Sequence, residues 1–203
     1  MKISKGYLSL IIILGVLIVD QILKIWVKTN FYLGESYHIT DWFQLVFIEN
    51  NGMAFGMELG NKLFLTLFRI IAVTVGVWYI VRSVIRNSAP KGYVVCCSLI
   101  LAGAIGNIID CLFYGLIFNN PLPPDVATLL PESGGYASLF YGRVVDMFYF
   151  PLFSFNWPEW IPWVGGEHFV FFQPIFNFAD AAISVGIFIL IFFYSKYLAT
   201  STK

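Results

Sequence analysis

Four stretches of this chain are so long and so apolar that a lipid bilayer is the natural place for them; they run near 7–27, 62–84, 93–117 and 176–197. Crossing about 30 Å of hydrocarbon takes a helix of roughly 20 apolar residues, and each stretch reaches that length. Of the 203 residues, 59% are hydrophobic and 12% charged, where a soluble domain carries about 25% charged residues. The fold class that follows is a membrane all-α protein with four transmembrane helices and a small β element, built as a single membrane-embedded domain over 1–203. The formal net charge is zero, which argues against nucleic acid as a partner.

The basic residues orient the spans. Lys2, Lys5, Arg82, Arg86, Lys91, Lys196 and Lys203 all fall on one side, outnumbering Lys24, Lys28, Lys62 and Arg143. The excess predicts cytoplasmic N- and C-termini and a cytoplasmic middle loop. The first apolar run resembles a secretory signal but lacks a small-x-small cleavage site and resumes through Val27, so it is expected to stay as the first span. Two regions, 30–61 and 118–175, then lie outside the cytoplasm. In the first, His38 to Glu49 is rich in β-branched and aromatic residues and ends at Asn50-Asn51-Gly52, which predicts a small sheet with a turn. In the second, eight of the nine prolines lie between Pro121 and Pro174, followed by Trp157, Trp160, Trp163, Phe169, Phe171 and Phe172 in an aromatic run. Such rings favour the membrane–water boundary, so an interfacial loop or helix resting on the bilayer is expected.

On this topology Asp20, Asn107, Asp110, Asp146, Asn177 and Asp180 converge on the outer membrane face. A carboxylate at a helix centre costs roughly 2.5 kcal/mol or more. Several at one level point to a shared polar site, and paired acids suit acid–base chemistry. Each also has a plainer reading. Asp20 and Lys24, at i and i+4, form a neutralising pair, the reading favoured for them. Asn107 and Asp110 share a helix face and can clamp helices together. Asn177 with Asp180 three residues later matches a helix cap. Asp146 can be a loop acid beside Arg143, although its apolar neighbours predict half burial. Asn50 reads as a turn residue or as an amide that binds a peptide backbone.

Other chemistries lack their residues. There is no Ser-x-x-Lys, no His-Glu-x-x-His and no Gly-rich phosphate loop, and His38 and His168 stand alone. Cys96, Cys97 and Cys111 give no disulfide or metal spacing. No metal and no cofactor are expected. Two rivals to hydrolysis are a small proton-coupled carrier using the acids as a relay, and an assembly factor whose Asn/Asp pairs join helices.

Five motifs occur in order: Asp20-Gln21-x-x-Lys24, Asn50-x-Gly52-x-Ala54-Phe55, Gly106-Asn107-x-x-Asp110, Gly142-x-Val144-Val145-Asp146-x-Phe148 and Phe176-Asn177-x-Ala179-Asp180-x-Ala182. With them the chain resembles the type II (lipoprotein) signal peptidases of bacteria, aspartyl endopeptidases of family A8 and targets of globomycin. The resemblance implies four spans with a small periplasmic sheet, an inner-membrane location and an active site at the periplasmic face. The implied substrate is a diacylated prolipoprotein, cut before its lipid-modified cysteine by a monomer in contact with membrane lipid. It implies that Asp146 and Asp180 are the catalytic pair. Asn50, Gly52, Asn107, Asp110, Arg143 and Asn177 then order the site or hold substrate. Relatives often carry Arg directly after the acid of the Gly-Asn motif; here that residue is Cys111, and Arg143 is the candidate to supply the charge. On the same basis Cys111→Arg is expected to be tolerated. The segment from Gly115 to Arg143 is longer than the family's usual connection; it either shapes access or is a neutral insertion.

Overall fold

A computed structural model describes residues 4–51, 62–85 and 89–201. Gly52, Ala54 and Phe55 of the second motif lie outside the described residues, as do Lys2, Arg86 and Lys203. Among the described residues there are four helices long and apolar enough to cross a membrane. They are α1 (Lys5–Asn30), α2 (Lys62–Tyr79, prolonged by a π-helical turn Ile80–Ile85), α3 (Lys91–Ile109) and α5 (Phe178–Ser201). A second π-helical turn, Asp110–Tyr114, joins α3 to the short α4 (Gly115–Ile117). Single π turns inside helices often mark functional sites, and this one begins on Asp110.

The first helix turns charged residues inward. The stripe Val16, Asp20, Lys24, Val27 and Lys28 of α1 is buried, while Leu10, Leu14, Ile18 and Ile22 are exposed. Both stripes follow helical spacing, but here the inner one is polar. α3 is the central helix: 56% of its spanning window is buried, against 22% for α1, 17% for α5 and 11% for α2. It packs along α1 and α5 through small residues. A Cβ on Gly103 would overlap the Ala179 carbonyl oxygen, and one on Gly106 would lie 2.7 Å from Asp20 Oδ2. These glycines let three backbones and a carboxylate meet.

The β element is a four-stranded antiparallel sheet in the order β1-β2-β3-β6. Its strands are β1 (Ser36–Thr40), β2 (Phe43–Asn50), β3 (Val144–Tyr149) and β6 (Ile175–Phe176). The expected strand region of 38–49 is thus a β1–β2 hairpin turning at Asp41-Trp42. Asp146, expected in a loop and half buried, sits in the middle of β3 and is 2% exposed. The cause is burial of the strand on both faces. Val145 and Met147 pack with Val27, Phe47, Tyr114 and Phe118, and alternation turns Asp146 to the other side. The aromatic run forms a separate hairpin, β4 (Phe153–Asn156) with β5 (His168–Phe171), rather than a helix. Phe153 stacks on Phe171 at 4.8 Å, and Trp160 and Trp163 are exposed.

The long segment after α4 acts as a helix cap. The last carbonyls of a helix lack intrahelical donors. Here Gly142 N donates to Cys111 O, Ala137 N to Gly115 O and Leu130 N to Ile117 O, at 2.9, 2.9 and 2.7 Å. Phe140 O also accepts from Thr66 Oγ1 of α2 at 3.1 Å. The segment is pinned from below by a buried ion cluster. Glu49 pairs with Lys28 of α1 and, at 2.9 Å, with Arg143. The rings of Phe47, Phe118 and Tyr136 surround the Lys28 ammonium at 5.6, 5.2 and 5.3 Å. Removing the carboxylate strands a buried cation, which costs about 3–5 kcal/mol. Glu49→Gln should therefore lower the thermal midpoint of the detergent-solubilised protein by several degrees; an unchanged midpoint would refute the anchoring role.

Candidate active site

Register explains why two acids 34 residues apart in sequence meet. Phe148 pairs with Phe176 and Tyr149 with Ile175 across β3 and β6. One further step along that ladder brings Asn177 to the level of Met147, beside Asp146. There Asn177 Nδ2 donates to Asp146 Oδ1 at 2.6 Å. Asn177 also stands directly before α5 and caps it. Its Oδ1 accepts from Asp180 N at 2.9 Å while its own N–H donates to Asp180 Oδ2 at 3.3 Å. The expected cap is present, and it is reciprocal. Asp180 in that first turn faces the positive end of the helix dipole. One asparagine thus holds both carboxylates, Asp146 through its side-chain amide and Asp180 through its backbone and cap.

Asn107 completes the link to α3. Its Nδ2 donates to Asp180 Oδ1 at 2.8 Å, and its Oδ1 accepts from Asn177 Nδ2 at 3.1 Å and Lys24 Nζ at 2.9 Å. The expected helix clamp therefore also touches an acid of the candidate pair. Asn50, at the end of β2, hydrogen-bonds the Asp146 carboxylate from the sheet side. Burial, and next the negative charge of Asp180, push the Asp146 carboxyl up to about 7; the hydrogen bonds from Asn177 and Asn50 and the charge of Lys24 oppose that shift.

Beneath the pair lies a second polar layer. Lys24 contacts Asp20 at 3.0 Å, as the i, i+4 spacing predicts, but also Asp110 at 2.8 Å; all three side chains are fully buried. The pair on α1 is therefore a three-way junction. Asp20 Oδ1 accepts from Ala179 N at 2.9 Å, and Asp110 Oδ2 accepts from Val145 N at 3.3 Å. Each carboxylate thereby holds the backbone next to one acid of the pair. A Cβ on Gly142 would overlap the Asp110 carbonyl oxygen, so the chain entering β3 must be bare there. Among the described residues no buried side-chain nitrogen or oxygen lacks a partner.

Arg143 is not beside Asp110. Its guanidinium binds Glu49 and Asn120, at 2.9 and 3.3 Å. The cation next to Cys111 is Arg69 of α2, whose Nη1 lies 3.3 Å from Cys111 Sγ. Because Cys111 is 1% exposed, the expected tolerance of Cys111→Arg depends on what occupies position 69. Arg69 belongs to none of the five motifs, although an arginine inside a spanning helix is itself a signal. Gln21, present in the first motif without a role of its own, donates to Asp20 Oδ2 and Asp110 Oδ1 at 3.1 and 3.0 Å and accepts from Tyr114 Oη at 3.1 Å. The i, i+1 position beside Asp20 gave it away only in part.

A cavity of about 610 Å³ opens between α2, α3 and α5. Arg69, Asn107 and Asp180 line one end, and Tyr79 and Tyr93, hydroxyl to hydroxyl at 2.6 Å, line the other. Aliphatic residues such as Val73, Ile100, Leu101 and Ile183 form most of the wall between. The arrangement offers a paired carboxyl system with one easily held proton, at the polar end of an apolar slot. Among the described residues no group of His, Cys, Asp and Glu could hold a metal ion.

The family model described as signal peptidase (SPase) II matches residues 12–196. The lipoprotein signal peptidase of Porphyromonas gingivalis is 49% identical over 195 residues, covering 96% of this chain and 86% of the relative. That of Amoebophilus asiaticus is 38% identical over 180 residues, covering 86% and 72%. Among solved structures, a bacterial membrane enzyme determined by the in meso method at 2.3 Å resolution aligns with a TM-score of 0.62 and 25% identity, covering 96% of this chain and 90% of that one.

The junction makes a prediction of its own. Lys24→Met leaves Asp20 and Asp110 buried without their cation, at a cost of about 3 kcal/mol or more. It should lower the yield of folded protein and its thermal midpoint. The double change Lys24→Met with Asp110→Asn should recover part of that loss. Additive losses in a double-mutant cycle would break the argument.

Proposed function

The chain belongs to the signal peptidase II family, and on that premise we propose that Asp146 and Asp180 together activate the water that cuts its substrate. The substrate is a prolipoprotein whose cysteine carries diacylglycerol, and the bond cut lies just before that cysteine. The observation that carries this reading is Asn177, whose amide binds Asp146 while its backbone and side chain cap Asp180. Two carboxyls tied to one residue cannot both ionise easily, so the pair shares a proton. The ionised member takes a proton from water as the oxygen attacks the scissile carbonyl. The protonated member donates to the carbonyl oxygen, giving a tetrahedral diol. Its collapse breaks the C–N bond, and a proton passes to the leaving amine. The water oxygen ends in the new carboxyl group, and no covalent enzyme intermediate or metal enters. Which acid begins protonated is a property of the pair.

The surroundings support this assignment. Asp180 and Asn107 meet the apolar cavity, and α2 is the least covered span. Lipid-modified substrate would enter sideways beside α2, keeping its acyl chains among apolar side chains. The positive charges at Lys5, Arg82 and Lys91 support cytoplasmic termini, with the acids at the periplasmic side of the inner membrane. The exposed Trp160 and Trp163 of the β4–β5 hairpin would then rest at the outer lipid surface. The whole chain acts as one peptidase domain, as a monomer. A proton relay would string acids across the bilayer, whereas Asp20, Asp110, Asp146 and Asp180 form one cluster.

Asp146→Asn and Asp180→Asn should each accumulate in membranes yet cut a diacylated prolipoprotein about a thousandfold more slowly. Near-normal signal-peptide release by either would end the proposal. The pair's proton also sets the pH profile. With the Asp146 carboxyl raised to about 7, turnover should fall on the alkaline side of pH ~7 as that proton is lost. The stability linkage has the same direction. This carboxyl's contribution is full below its unfolded value of 3.8 and is lost as pH rises through about 7. A turnover profile flat from pH 6 to 9 would contradict the shared proton.

A further inference from the structure

We propose that Arg69 is a substrate-binding residue whose guanidinium holds a carbonyl oxygen of the substrate at the wall of the cavity that Asp180 lines. The inference rests on the peptidase reading above. Three observations carry it. Arg69 lies within the apolar run of α2, where an arginine costs roughly 2.5–3.5 kcal/mol on insertion scales. It is half-buried and lines the cavity, at the same end as Asn107 and Asp180. The next hydroxyl on the same helix and the same wall, Tyr79, is ten residues further along α2, or about 15 Å. A chain bound against this wall therefore meets its strongest donor at Arg69, beside the reacting end.

The guanidinium is also positioned. Its Nη1 contacts Cys111 Sγ at 3.3 Å, and Cys111 follows Asp110, which is locked to Lys24 and Gln21. A planar fork of N–H donors suits carbonyl oxygens better than an ammonium does. A carbonyl drawn into an apolar slot without a partner would lose several kcal/mol. The same 3.3 Å contact carries a geometric corollary. A side chain that starts at position 111 begins where the Arg69 side chain ends, so the two positions meet at one point behind the wall. An arginine at 111, which the family resemblance leads one to expect, and an arginine at 69 are alternative ways to deliver one charge.

The experiment uses the full chain in detergent or liposomes with a diacylated prolipoprotein, and it separates KM from kcat. Arg69→Ala should raise KM about tenfold, the effect of losing a hydrogen bond to a charged group, with kcat within about threefold. Arg69→Lys should fall between. The double variant Arg69→Ala with Cys111→Arg should return KM to within about threefold of the parent, whereas Cys111→Arg alone crowds two guanidinium groups and should lower the thermal midpoint. An unchanged KM in Arg69→Ala would overturn the assignment. Should that variant fail to accumulate, the double variant decides: recovery of folded protein without recovery of KM would overturn it too. A dialkyl ether analogue of the substrate identifies the carbonyl. A KM defect that persists with the ether assigns it to the peptide, and one that vanishes assigns it to the lipid ester. Asp146→Asn runs in parallel; if it turns over normally, the acid-pair reading fails whatever Arg69 does.

Discussion

The Lys24 ammonium holds the molecule's polar centre together. It lies between Asp20 of its own helix, Asp110 at the end of α3 and the Asn107 amide oxygen, all within 3.0 Å. Burying such a cluster gains little net stability over apolar packing, because desolvation offsets attraction. Its consequence is positional. From Lys24, one link through Asn107 reaches Asp180. One link through Asp20 reaches the backbone of Ala179, beside Asp180. One link through Asp110 reaches the backbone of Val145, beside Asp146. Sliding α1, α3 or α5 by a residue would break at least one of these contacts, so the register of three spans and one strand is fixed by a single cation.

The sheet supplies the other coordinate. A helix bundle alone could place Asp180 but not an acid from the long loop between spans. Pairing β3 with β6, which runs directly into α5, brings Asp146 to the α5 N-terminus by backbone hydrogen bonds. The Val145 and Met147 side chains then fill the cluster around Phe47 and Phe118, which leaves Asp146 only the opposite face. The segment capping α4, fastened through Glu49, Lys28 and Arg143, keeps the start of β3 from lifting. The proposed chemistry is thus held by apolar packing on one face of a strand and by amides on the other.

Much of this was legible in the sequence. Long hydropathy runs gave the spans, since in a bilayer the backbone must satisfy itself within a helix. The i, i+3 and i, i+4 spacings gave the Asp20–Lys24 contact and the Asn177–Asp180 cap, because such pairs are local. What failed to appear was non-local. Arg143 looked like a partner for Asp110, but strand pairing sends it to Glu49 of β2, which lies opposite Val145 in the β2–β3 ladder. Asp146 looked half exposed because a strand buried on both faces shows no alternation. Arg69 carries no pattern of its own, and Gln21 none beyond its place in the first motif; their meaning comes from Tyr114, Cys111 and a cavity that only the tertiary structure creates. The segment after α4 reads as filler until its N–H groups are matched to the carbonyls of Cys111, Gly115 and Ile117.

Hydrolysis beside hydrocarbon requires that water be welcome at one point and nowhere else. A bound water needs roughly 2–4 polar partners. The middle of the cavity wall, with Val73, Ile100, Leu101 and Ile183, offers none. Asn107 and Asp180 offer several at one end, with Asn177 and Asp146 directly behind them. Arg69 stands at that same end, and the Tyr79–Tyr93 hydroxyls at the far end are engaged with each other. On the proposed reading, the same contrast that would suit the slot to acyl chains would confine water to the carboxyl pair, where the low dielectric strengthens every charge it meets.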